Sequence, residues 1–185
     1  MPRNQRLYRE DEPLNHLYVV GSGSFKLVRH SEEGREFIVS LSGRGEAFGA
    51  MVEPSVATVE ARGLQDSAAL AVPLNVLRRA LEKRPEIGLR LVTQTEEKLR
   101  ASEIRAARLA FESVPRRLAS LLLETADRST GLLRFPLNQS ELAQFIGSSR
   151  ETVCSILNQL RREGIVDTVG GRVHIIDRRG LETTS

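Results

Sequence analysis

The chain has 185 residues, 40% of them hydrophobic and 28% charged, with a formal net charge of +3. That balance excludes a disordered chain, and no apolar run approaches the ~20 residues that a membrane span needs. One cysteine with three scattered histidines (His16, His30, His174) excludes an internal disulfide and gives no spacing for a structural metal site.

The opening residues, "MPRNQRLYREDEP", are charged and lack an apolar core, so no secretory signal is expected and the cytoplasm is the expected compartment. Residues 14–72 read as strands. Short β-branched and aromatic runs at Leu17–Val20, Phe25–Val28 and Phe37–Leu41 are divided by Gly, Ser and Glu-Gly turn signals. "SVATVEARGLQDSAALAVP" adds two more about a turn near Gln65-Asp66. Short strands at even spacing point to a small barrel or jelly roll.

The period changes after Pro73. "LNVLRRALEKRP" reads as a short helix ending before Pro85, and residues 86–111 hold neither proline nor an interior turn signal. Gly88, Val92, Thr95, Leu99, Ser102, Ala106 and Leu109 alternate by fours and threes along one seam of a long helix. Two readings fit: a helix packed on its own strands, or a dimer seam. The seam is preferred, because ~26 residues is long for a helix in so small a domain. "VPRRLASLLLETADRS" is a further helix begun by Pro115, and "GLLRFPLN" a turn and short strand.

"LNQSELAQFIGSSRETVCSIL" then carries the chemistry. With Gln139 as the first position of a helix-turn-helix, Leu142, Ala143, Ile146, Gly147, Val153 and Ile156 all fall in register. Ala143 is small enough for the second helix to cross closely, Gly147 permits a positive φ at the turn, and the larger apolar residues form a miniature core. Capping chemistry is expected at both starts, Asn138 with Glu141 and Ser148 with Glu151.

The second helix would present its first turn to a major groove. There Arg150 can pair bidentately with guanine and Glu151 can accept from cytosine; Ser155, four residues on, shares their face. Gln139, Ser140 and Ser149 sit where amides, hydroxyls and helix N-terminal N–H groups meet phosphates. For Glu151 a second role, closing the box with Ser148, stays open. Cys154 reads as a partly buried small residue. In "GIVDTVGGRVHII" two strands about Gly170-Gly171 make a wing, where Arg172 either reaches the DNA backbone or stands solvated. Basic and acidic residues nearly balance from Glu112 to Ser185, ten against nine, so a DNA contact rests on placement rather than bulk charge.

These residues resemble the cyclic-AMP receptor protein / fumarate-nitrate regulator (Crp/Fnr) family of bacterial transcription factors. "SRETV" stands as in its cyclic-AMP receptor branch, and "LYVVGSGSFKLVRHSEEGREFIVSLSGRGEAFG" looks like its effector-domain β-roll, with the family's usual first helix and strand truncated. The resemblance implies an α+β chain in three parts. Residues 1–84 would form a jelly-roll domain like those that bind cyclic nucleotides, 85–111 a long dimerisation helix, and 112–185 a winged helix-turn-helix. It also implies a homodimer on a partly palindromic site of double-stranded DNA, and contact with RNA polymerase, commonly as an activator. Arg150 and Glu151 take the family's base-reading positions, while the third, an arginine in that branch, is Ser155.

The effector domain departs from the family. Its cyclic-nucleotide binders carry Gly-Glu for the ribose and Arg-Ser for the cyclic phosphate; here stand Gly49-Ala50 and Pro54-Ser55-Val56-Ala57. A buried phosphate without its cation costs several kcal/mol, so no tight cyclic-nucleotide binding is expected, and no cofactor. Arg62 is the one substitute cation considered. There is no N-terminal cysteine cluster for iron–sulfur, and His16 and His30 lack the context of a haem ligand. No nucleophile–base pair or phosphate-cradling loop appears, so an enzyme is not expected. A regulator switched by another small effector stays open, as does, from a different class, a protein-interaction adaptor.

Overall fold

The computed structural model describes residues 1–184 and divides into two compact units, Met1–Ile104 and Arg105–Ser185. The first holds nine strands: β1 (Arg6–Tyr8), β2 (Pro13–Leu14), β3 (His16–Ser22), β4 (Ser24–His30), β5 (Glu36–Gly43), β6 (Ala47–Gly49), β7 (Ser55–Val56), β8 (Glu60–Gly63) and β9 (Ala68–Pro73). They pair antiparallel as a four-stranded sheet β1-β8-β4-β5, a three-stranded sheet β6-β3-β9 and the small pair β2-β7. The stretch before Leu14 contributes β1, which pairs with β8.

Alternation along the strands sorts two chemistries. Phe25 and Ala61 turn inward to a core with Tyr8, Leu14, Val20, Phe48, Ala50 and Ala57. Lys26 and Arg62, the next residue on each strand and partners across β4–β8, occupy the opposite face. Helix α1 (Leu74–Lys83) follows β9 directly and buries Leu77 against Leu17 and Ala47. Helix α2 (Pro85–Phe111) begins on a proline, which suits the first helical turn. None of its 27 residues is buried.

In the second unit the end of α2 leads into α3 (Val114–Thr125), α4 (Gln139–Ile146), α5 (Arg150–Arg162), the hairpin β10 (Val166–Val169) and β11 (Arg172–Ile175), and α6 (Arg178–Glu182). Leu118, Leu122, Leu133, Leu137, Leu142, Val153 and Leu181 make its core. The strand expected in "GLLRFPLN" is reduced to two isolated bridges, Ala126 to Leu133 and Leu132 to His174. Asp127 closes the loop before them by accepting the backbone N–H groups of Ser129 and Thr130, each at 2.9 Å. Among the described residues no helix is long and apolar enough to cross a membrane.

Candidate nucleic-acid interface

Helix α4 starts on the expected capping box: Asn138 Oδ1 accepts the Glu141 N–H at 2.9 Å, and Glu141 accepts the Asn138 N–H at 3.0 Å. It stops at Gly147, whose φ of +64° is left-handed backbone that a side chain would strain. Ala143 is 3% exposed at the crossing of α4 and α5. Arg105, near the end of α2, lies with its guanidinium 4.6 Å from the centre of the Phe145 ring on α4.

The start of α5 differs from expectation by one residue. Ser149, not Ser148, is the N-cap, and its hydroxyl accepts the Thr152 N–H at 3.1 Å. The Ser148 N–H instead donates back to the Ala143 carbonyl at 3.0 Å, part of the tight turn after Gly147. The box partner of a Ser149 cap would be residue 152, a threonine. Glu151 is therefore outside any capping box and exposed in the first turn beside the exposed Arg150.

Ser155 is exposed one turn further along. Val153, Leu157 and Leu160 form the buried side of α5, whereas Ile156 is only half-buried, so Leu157 and Leu160 take more of the small core than the register suggested. Cys154 is half-buried. Gln139 and Ser140 lie half-buried in the first turn of α4. The wing turns at Gly170 and Gly171, with φ of +57° and +77°, the two positive values of a type I′ turn. Arg172 follows, half-exposed, as the first residue of β11.

Two contacts had no sequence signal beyond helical period. Asn158 continues the exposed line of Glu151 and Ser155. Arg161 donates to Asn158 Oδ1 at 3.1 Å and to Thr168 Oγ1 on β10 at 2.6 Å, tying the helix to the wing.

The roll's interior has a different chemistry. Tyr8, Tyr18, Phe25 and Phe48 stack and tilt against one another with ring centres 5.4 to 6.3 Å apart. Ala50 and Ala57 are 4% and 2% exposed in the same core, while Ser55 and Val56 face solvent on β7. Burial keeps the Tyr8 phenol protonated far above its ordinary range.

Arg62, the one candidate for a replacement phosphate cation, is engaged elsewhere. It bonds Glu60, donates to Glu36 Oε1 at 2.6 Å and lies 3.3 Å from His30 Nε2. Burial alone would raise the Glu36 carboxyl; the Arg62 hydrogen bond and charge, with Lys26 and His30, overcome it and hold that group below its ordinary value. No group of three or more metal-ligating side chains occurs among the described residues.

Residues 116–184 match the model of the Crp-like helix-turn-helix domain, and residues 1–84 that of the cyclic nucleotide-binding domain. The chain is 33% identical to the "CRP-like cAMP-activated global transcriptional regulator" of Mycobacterium tuberculosis, over 97% of this chain and 84% of that one. The chain belongs to the Crp/Fnr family of transcription regulators.

A second Crp/Fnr relative, the "Cyclic AMP receptor protein" of Thermus thermophilus, is 30% identical over 96% of this chain and 86% of its own. The fold is shared with the solved structure of FixK2 from Bradyrhizobium japonicum, at a TM-score of 0.87 and 24% identity, covering 100% of this chain and 94% of that one. Crp/Fnr membership makes the chain a DNA-binding transcription regulator and not an enzyme. Its winged helix-turn-helix is the DNA-binding module.

Proposed function

We propose that the chain is a homodimeric, sequence-specific regulator that binds a partly palindromic duplex without cyclic nucleotide, works in the cytoplasm, and activates by touching RNA polymerase. The observation that carries the DNA reading is the first turn of α5. Arg150 and Glu151 are exposed there, and the Ser149 cap leaves Glu151 without a capping task. Arg150 then pairs with guanine O6 and N7, Glu151 accepts from a cytosine amine, and Ser155 meets a base edge one turn later. Gln139, Ser140, Ser149 and Arg172 anchor the phosphates on either side.

The dimer is supported by α2. Leu89, Val92 and Leu99 are 71%, 56% and 59% exposed, and covering each is worth about 1.5–3 kcal/mol. Independence from cyclic nucleotide is supported by the aromatic filling of the roll, the alanines at 50 and 57, and the pairing of Arg62 with two carboxylates. A second reading, activation by cyclic AMP, is favoured by the printed names of the two relatives above.

Repeated selection from a random duplex pool, run with and without cyclic AMP, separates the two. A palindromic winner bound equally in both conditions is expected. Enrichment only with nucleotide would establish the second reading, and enrichment in neither would sink both.

A further inference from the structure

Between β5 and β6 the chain turns through Arg44, Gly45 and Glu46, and two side chains one helical turn apart on α2 grip that turn. Gln94 uses both ends of its amide: Oε1 accepts the Ala47 N–H at 3.0 Å, and Nε2 donates to the Gly45 carbonyl at 3.2 Å. Lys98 Nζ donates to the Ala47 carbonyl at 2.8 Å and to Ser42 Oγ at 3.1 Å. Both backbone groups of Ala47 are thus held by α2, while β3 pairs with β6 through the Val19–Ala47 register. Leu91, one turn before Gln94, packs on the apolar cluster of Leu17, Ala47 and Leu77 beneath.

A lysine is a costly choice for such a place. Burial pushes the Lys98 ammonium below its ordinary value, and the nearby Glu46 only partly opposes this. An apolar residue would pack there without that penalty but would strand the Ala47 carbonyl. Ala47 also opens the segment Ala47-Phe48-Gly49-Ala50, whose Phe48 and Ala50 sit in the aromatic core. The backbone N–H and C=O of Ala47 thus join that segment to α2.

We infer that Gln94 and Lys98 are positioning residues for DNA binding, a built-in clamp that fixes the first half of α2 on the roll in the effector-free protein. The inference rests on the reading of an effector-independent regulator given above. Holding the helix by four polar bonds fixes which side of it faces the roll. The side bearing Val92 and Leu99 is then presented for pairing without a ligand to order it.

The test uses the full chain as Lys98→Met, Gln94→Ala and the double variant. Hydrogen exchange is followed at residues 43–47 and 85–104, and affinity is measured on the selected duplex. Exchange is expected to rise about tenfold or more in both segments, with DNA affinity falling about tenfold and exchange in α3 to α5 unchanged; tenfold corresponds to about 1.4 kcal/mol. Unchanged exchange overturns the clamp, and faster exchange with full affinity overturns its link to DNA. If Lys98→Met fails to fold, Gln94→Ala carries the test alone, because it trims a half-exposed side chain. Should the wild-type chain select no duplex, the functional reading fails, the positioning role falls with it, and the exchange arm still decides whether the clamp exists.

Discussion

On the proposed reading, the exposed guanidinium of Arg150 carries much of the sequence information read by the first turn of α5. Truncating Arg150 to alanine is expected to cost about 1–3 kcal/mol on the cognate duplex and to relax one base preference. An equal loss on every sequence would show that Arg150 touches only phosphate. Asp127 offers a quieter test. Hydrogen bonds from the Ser129 hydroxyl and from the Thr130 and Ser129 amides lower its carboxyl from 3.8 to about 2. Because the folded value is depressed, its contribution is full above pH 3.8 and is lost as pH falls through 2. The difference in urea midpoint between wild type and Asp127→Asn should be constant near neutrality and shrink in that acid window. A difference that ignores pH would mean that the charge plays no part. Most of the local geometry at the candidate interface was legible because each feature rests on local chemistry: a cap, a left-handed glycine, an exposed arginine. The exception is the α5 cap. Ser148 and Ser149 are chemically equivalent caps, and only the turn after Gly147, which draws the Ser148 N–H to Ala143, selects between them.

Among the elements, α2 is the one whose sequence and surroundings disagree most. Its seam residues Val92 and Leu99 stay exposed while Leu91, Gln94 and Lys98 face the roll. The reading of a helix packed on its own strands therefore describes one side of it, and the dimer seam on the other side stays a proposal. The helical period showed the stripe but not which side the roll would take, since Gln94 and Lys98 carry no apolar signal. Leu99→Asp, at a 59% exposed site, should leave the monomer folded and halve the solution mass. An unchanged dimer mass would place the interface elsewhere. The elements missed in the sequence, β1, β2, β6, β7 and α6, run from two to five residues. They are too short for a period to emerge and are set by tertiary contacts such as the burial of Leu181. Arg62 was visible as a cation, but its direction comes from strand pairing that places it beside Glu36 and Glu60.

For the molecule as a whole, the proposed pair of copies on one duplex would impose a geometric rule. The half-sites recovered by selection should be centred one helical turn apart or a multiple of it, about 10–10.5 base pairs. A winner with one half-site, or with spacing that drifts freely, would contradict a closed pair. The exposed stripe on α2 has a consequence for dosage. If that stripe pairs two chains as proposed, the number of pairs, where they are scarce, grows with the square of the chain concentration. Doubling synthesis would then raise occupancy of a mostly empty promoter about fourfold. A promoter under such a pair would respond to supply of the chain more steeply than in proportion, and a cell could tune that response by the rates of making and destroying the chain.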